Sequence, residues 1–418
     1  MAVGVATCSG AQDRNRTLFL TVGCLVLVNS LTSPSGIPAI PLQFYLKDRL
    51  HLSPDAIALF GLVSGIPLYL SFVFGFVRDR WSPFRLGDRG HFLFFAPLAA
   101  AVYFWIPSGG MGWKPLLAGI MLVTALYRML AGAQTGLIAS MARRDGTTGA
   151  FSALSTSLIT LSAVAAPLLG GWLTARFGAP SVYPITALGA LLLFGLALRG
   201  SRSVFQQPKS PAEGPARRPG GEWAEIKRLL CYRPLWPALL ICALWQFSPG
   251  FQTPLFFHLT GTIGLRAESY GQFLAAFNLA LMAVMALYGP LCRRIDFARI
   301  LRWGTWIAIP QMLLLLCIHS PLQAMLCAVL MGVMAGTAAA AYFDLLVRSC
   351  PPGLEGTGMM LGSAVSFLAV RGADVVGTWL YQRGCFSWCA LATVAVCACI
   401  VPALSLLPRS TLQPVEDP

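Results

Sequence analysis

The sequence predicts an all-α integral membrane protein: twelve transmembrane helices arranged as two pseudo-symmetric six-helix halves. Three observations carry that prediction. Apolar residues make up 56% of the chain and charged residues only 11%, with a mean hydropathy of +0.69, whereas soluble domains carry about 25% charged residues. Apolar runs of about 20 residues, the length that crosses a bilayer as a helix, recur from one end to the other. They are continuous rather than alternating, which selects helices over a barrel. Finally, one long polar break parts six runs from six.

The spans are expected at 17–40, 55–77, 90–107, 115–141, 148–174, 180–199, 235–259, 268–292, 300–319, 321–347, 356–382 and 385–407. Arg14 and Arg16 precede the first span and predict a cytoplasmic N-terminus, so odd spans run outward and even spans inward. The distribution of basic residues agrees. Of the 30 lysines and arginines, 22 fall in segments this topology puts in the cytoplasm, six fall outside, and Arg128 and Arg371 lie within spans. That asymmetry is the orientation signal of a membrane protein and puts both termini in the cytoplasm of what is expected to be the plasma membrane. No cleavable signal peptide is expected; the first span itself directs insertion.

The domains expected are 1–199, an N-terminal six-helix bundle; 200–234, a cytoplasmic linker; and 235–418, a C-terminal six-helix bundle. The linker is irregular because Pro208, Pro211, Pro215 and Pro219 precede Gly220 and Gly221. Within it, residues 222–230 have an amphipathic pattern suited to the inner membrane surface. The halves read as duplicates. PLQFYL at 41–46 and PLFFHL at 254–259 share a frame where an odd span exits, and GGWL at 170–173 recurs as GTWL at 377–380.

Several functions are excluded. A net charge of +14 could suit nucleic acid, but the basic residues lie in short loops between spans. The twelve cysteines have no metal spacing, and most sit in apolar runs as small core residues. Neither a phosphate-binding glycine loop nor a nucleophile elbow is present, so no enzyme, cofactor or metal is expected. The partners expected are a small-molecule substrate, the lipid bilayer and a coupling proton; a monomer would suffice.

The loop after the second span, GFVRDRWSPFR at 75–85, resembles the signature loop of the major facilitator superfamily, with Gly75, Asp79, Arg80 and Arg85 in the matching places. Span eight ends with an echo of it in Arg293 and Arg294. The resemblance implies that these residues gate the cytoplasmic face. Three longer stretches, 44–61, 245–265 and 351–368, resemble the folate-biopterin transporter family, to which bacteriochlorophyll-delivery proteins are related. The resemblance implies the facilitator fold, in which spans one, four, seven and ten line a central cavity, and a pterin- or folate-like solute.

Polar residues inside spans are few, and a charge at bilayer depth costs several kcal/mol unless a partner or water meets it. Arg128 in span four and Arg371 in span eleven are the candidate ligands for an anion, because a guanidinium fork pairs with carboxylates and stacks on rings. Gln134, Asn29, Trp245, Gln246 and Gln252 are the other candidate substrate contacts, the last three around a kink at Pro249-Gly250. Asp374, three residues after Arg371, and Asp344, four before Arg348, are the candidate proton carriers; structural ion pairs with those arginines are the plainer alternative. The function expected is a secondary transporter that moves a small organic anion by alternating access. The alternatives are a pigment-delivery or assembly factor, or a multidrug exporter of the same superfamily.

Overall fold

The computed structural model describes residues 20–106, 112–144, 148–199, 227–229, 231–292, 294–351 and 355–408. Nearly all of the linker expected at 200–234 therefore lies outside the described residues, as do both termini. Every regular element among the described residues is a helix. Eight are long and apolar enough to cross a membrane. The remaining expected spans are broken or, in one case, less apolar, and their sequences explain the breaks. They are α1 (Leu20–Thr32) with α2 (Ala39–Phe44); α3 (Pro54–Ser64), α4 (Ile66–Tyr69) and α5 (Ser71–Arg80); α6 (Asp88–Trp105); and α10 (Leu235–Gln246) with α11 (Thr253–Phe257).

By internal contacts the chain forms two compact units, Met1–Tyr45 with Phe72–Pro211, and Leu46–Ser71 with Ala212–Pro418. The first holds α1, α2, α5, α6, α7 (Trp113–Arg144), α8 (Thr148–Phe177) and α9 (Ala179–Arg199). In it α6 packs on both α7 and α9, and α2 packs on α8. Pro34 and Pro38 interrupt the first span, because proline offers no N–H and clashes with the preceding turn. The break is held from three sides. Tyr103 donates to the Thr32 carbonyl at 2.8 Å, Tyr127 donates to the Thr32 hydroxyl at 2.8 Å, and Gly170 lets α8 approach the Ile37 carbonyl so closely that a Cβ would collide with it.

The second unit holds α3, α4, α10, α11, α12 (Ala267–Cys292), α13 (Phe297–Ala308), α14 (Pro321–Arg348), α15 (Glu355–Arg383), α16 (Phe386–Ala398) and α17 (Ile400–Ala403). Here α12 and α14 form the most extensive pair, brought close by Gly332 and Gly336 on α14. Ser53 and Ser320 cap α3 and α14 with their side chains, each followed by a proline at the first helical position. The ninth expected span changes character at Pro310. Beyond α13 the backbone winds as a 3-10 helix over Ile309–Cys317, which turns Gln311 into the interior.

The repeats seen in sequence recur as geometry. Tyr45–Arg49 and His258–Thr262, 213 residues apart, are both single π-helical turns ending an odd span. Gly377, which stands in GTWL as Gly170 stands in GGWL, meets the Pro249 carbonyl where a Cβ would collide. Each unit thus packs a glycine of its fifth span against the backbone of its own broken leading span.

Candidate functional site

In the first unit Arg128 projects from the middle of α7. It makes no hydrogen bond or ion pair among the described residues, and its Nε is buried and unsatisfied. Asn29 and Gln134, expected as separate substrate contacts, are tied to each other: the Asn29 amide donates to the Gln134 oxygen at 2.8 Å, and both side chains are buried.

In the second unit Arg371 and Asp374 do not pair. The Asp374 carboxylate instead accepts from the Thr253 backbone N–H at 2.9 Å and from the Thr253 hydroxyl at 3.0 Å. Thr253 opens α11, whose first N–H groups have no partner within the helix, so a carboxylate from α15 caps it across 121 residues of sequence. Arg371 makes no hydrogen bond or ion pair among the described residues. Its guanidinium lies over Gly61 of α3, where a Cβ would stand 2.8 Å from Nη1. Asp344 does pair with Arg348, at 3.1 Å, and also accepts from Tyr288 at 2.9 Å.

The span broken at Pro249-Gly250 unwinds over Phe247–Gln252 between α10 and α11. Gly250 N–H donates to the Thr393 hydroxyl at 2.9 Å and fixes the break. Trp245, Gln246 and Gln252 come together there on a cavity of about 280 Å³. Ser248 and Gln311 line the same cavity, and neither was singled out in the sequence. Ser248 is a small polar residue beside a proline, and Gln311 sits in an apolar run whose change of helix type no periodicity reports.

In the loop at 75–85 the side chain of Asp79 lies outside the described residues, as does Arg293. Arg80 lies over the Phe76 ring at 3.9 Å, while Arg85 and Arg294 are exposed. Among the described residues an ion pair at this loop joins two residues the motif did not mark. Arg78 donates from Nε at 3.0 Å and Nη2 at 2.7 Å to one Asp88 oxygen, so the end of α5 is bound to the start of α6. Arg89 donates to the carbonyls of Ala197 and Leu198 at the last turn of α9. Their signal was the spacing of ten between an arginine and an aspartate that flank one short loop.

These features meet comparison with known proteins. The profile of the Major Facilitator Superfamily matches residues 18–371. The chain belongs to that superfamily. It is 25% identical over 369 residues to a folate-biopterin transporter of Synechocystis sp., covering 80% of this chain and 69% of the relative. It is also 29% identical over 188 residues to a multi-drug resistance efflux pump PmrA homolog of Lactococcus lactis, covering 44% of this chain and 43% of that protein. Among solved structures, the nucleoside transporter NupG superposes with a TM-score of 0.72 at 13% identity, over 93% of this chain and 98% of its own. A D-xylose-proton symporter gives 0.67 at 15% identity, over 96% and 99%. A peptide transporter POT in complex with sulfate gives 0.70 at 13%, over 93% of each. The facilitator fold and a multi-pass, integral membrane transporter are therefore shown.

Proposed function

We propose that this protein is a secondary transporter that moves a small organic anion of the pterin or folate kind across the membrane by alternating access. The observation that supports it best is the pair of unpartnered cations. Arg128 and Arg371 each lie in an apolar span and make no hydrogen bond or ion pair among the described residues, and the Asp374 carboxylate acts on Arg371 only across space. An uncompensated guanidinium at that depth is expensive, and an anionic solute would compensate it with the fork geometry that arginine offers. The name of the Synechocystis relative adds the solute class. In this reading Trp245, Gln246 and Gln252 contact uncharged parts of the solute, and the Asn29–Gln134 pair shapes its path.

Asp374 is the better of the two proton carriers. Asp344 is neutralised by Arg348, whereas Asp374 has hydrogen bonds but no ion pair among the described residues, so protonation relieves a buried charge. A proton on Asp374 would also weaken its hold on Thr253 and so loosen the start of α11. Arg78 and Asp88, with Gly75, Asp79, Arg80, Arg85, Arg293 and Arg294, would then govern the cytoplasmic gate. The basic-residue bias supports cytoplasmic termini, and the plasma membrane is the membrane proposed. The similarity to a multi-drug resistance efflux pump homologue favours a second reading, multidrug export. Two unpaired arginines oppose it where the compound is cationic.

Uptake of labelled folate and pterin into proteoliposomes tests the proposal. Arg128→Gln and Arg371→Gln should each raise the apparent KM about tenfold or more, a loss of about 1.4 kcal/mol. Uptake unchanged in both variants, or transport confined to lipophilic cations, would overturn it.

A further inference from the structure

We infer that the groove between α12 and α13 is a binding site for an anionic phospholipid, with one acyl chain in the groove and the phosphate on Arg299 and Arg302. The site is independent of the solute and of the transport reading above. α12 and α13 both pack on α14, and an apolar groove of about 230 Å³ runs between them. Two glycines keep its floor low. Gly304 lies against the Thr337 carbonyl, and Gly336 lies against Val284 and the Leu281 carbonyl, so neither has room for a side chain. Trp303 and Ile307 form one rim and Leu291 the other, and all three are exposed. The three helices all belong to segments long and apolar enough to cross a membrane, so the exposed rims open towards lipid.

The two ends of the groove differ, and the difference selects the occupant. Along its length the hydroxyls in the wall are already bonded, Tyr288 to Asp344 at 2.9 Å and Thr337 to the Met334 carbonyl at 2.7 Å. A polar solute would lose its water there and gain nothing in return. Among the described residues lining the groove, only Arg299 is charged. It stands in the first turn of α13, and Ile307 stands in the last, about 12 Å further along the helix. Arg302, three residues after Arg299, sets a second exposed guanidinium on the same face. Asp296 lies 3.5 Å from Arg299, but the two side chains are 67% and 72% exposed, and such a pair holds weakly. Two guanidinium groups against one carboxylate leave a positive surplus for a phosphate, which the arginine fork grips. Trp303 and Trp306, beside them, are 66% and 54% exposed, and tryptophan collects at the level of lipid head groups. A basic cluster at the end of a span attracts anionic head groups, and the groove then receives the chain attached to one.

The test titrates the full chain in detergent micelles with palmitoyl-oleoyl phosphatidylglycerol and with the phosphatidylcholine of the same chains. Native mass spectrometry reads the bound lipid. One phosphatidylglycerol should bind about tenfold or more tightly than phosphatidylcholine, the gain expected of a charge-assisted bond to phosphate. Arg299→Gln combined with Arg302→Gln should bring the ratio towards one. Ile307→Trp fills the far end of the groove, leaves the charges in place, and should weaken phosphatidylglycerol severalfold. Leu291→Trp, on the opposite rim, should do the same and carries this arm if Ile307→Trp fails to fold. Equal binding of the two lipids by the unsubstituted protein, or a preference that the arginine variant leaves intact, would overturn the site. So would a preference that both groove variants leave intact, or that inorganic phosphate abolishes, since the arginines would then be an anion patch with no chain held beside it. A dimer that retains no lipid and dissociates in the groove variants would give the groove to a second copy of the chain instead.

Discussion

The two units solve one problem with different chemistry. Each must hold a broken leading span, and each brings a glycine of its fifth span against the exposed backbone of that break, Gly170 on Ile37 and Gly377 on Pro249. The polar groups freed by the break are then treated differently. In the first unit they are met by neutral hydroxyls, those of Tyr103 and Tyr127. In the second they are met by the Thr393 hydroxyl and by a buried carboxylate, Asp374. At the offset of 207 residues that relates GGWL to GTWL, Arg371 and Asp374 correspond to Val164 and Pro167. The duplication kept its packing geometry and placed charge in one copy only. A neutral bond is indifferent to pH, whereas a carboxylate bond can be broken by a proton, and among the described residues only the second unit's break is held by one.

The largest effects should fall on what the units share. Gly170→Val and Gly377→Val each drive a side chain into backbone that cannot yield, and should each cost roughly 4 kcal/mol or more. Size-exclusion profiles and thermal unfolding of the detergent-purified variants would show this. A large loss in one variant and none in the other would break the equivalence of the two fifth spans.

The next effect separates the units. Asp374→Leu strands the N–H and hydroxyl of Thr253, each worth about 1–3 kcal/mol when buried unsatisfied. Tyr103→Phe and Tyr127→Phe each remove one neutral bond and should cost about 1 kcal/mol. Asp374→Asn keeps an acceptor and should retain most of the stability while flattening the pH dependence of uptake. If Asp374→Asn left that dependence intact, the carboxylate would be a helix cap and nothing more.

These contrasts also explain what the sequence could disclose. The fold was legible because runs of bilayer length are a property of composition along the chain. The repeats were legible too, since GGWL and GTWL preserve a steric need that only glycine meets. The partner of Asp374 was not. Arg371, three residues before it, was the local candidate, yet the bond goes to Thr253, which only the fold brings near. Gln311 was hidden for a similar reason: in sequence it is one polar residue in IPQMLLLLC, and its burial follows from a 3-10 turn that apolar periodicity does not encode. At the signature loop the family pattern drew notice to Asp79 and Arg80, and the described residues add an ion pair between Arg78 and Asp88 that the pattern does not mark.

The smallest effect should appear where the leading spans end in their π-helical turns and the repeat meets itself. Lys47 and Thr260 stand 213 residues apart at the same place in the two π-helical turns, and the lysine donates to the threonine hydroxyl at 2.7 Å. The ammonium also lies 5.4 Å from the Phe256 ring and 5.5 Å from the Phe257 ring. Burial holds the Lys47 pKa below the ordinary lysine value, with the neighbouring Asp48 opposing the shift. The sign follows from proton counting. Between the lowered folded value and the unfolded value of about 10.4, the unfolded chain binds more protons, so this group's contribution to stability rises with pH across that window. Below both values the burial penalty is constant and is offset by the Thr260 bond and the two rings. Lys47→Met removes the penalty together with its compensation, so at pH 7 its net effect should stay within about 1 kcal/mol. The difference in melting temperature between the unsubstituted protein and Lys47→Met, followed from pH 7 towards 10, should move in favour of the lysine form as pH rises. A difference that stays flat would mean that Lys47 is as well solvated folded as unfolded, and that its bond to Thr260 is a surface contact.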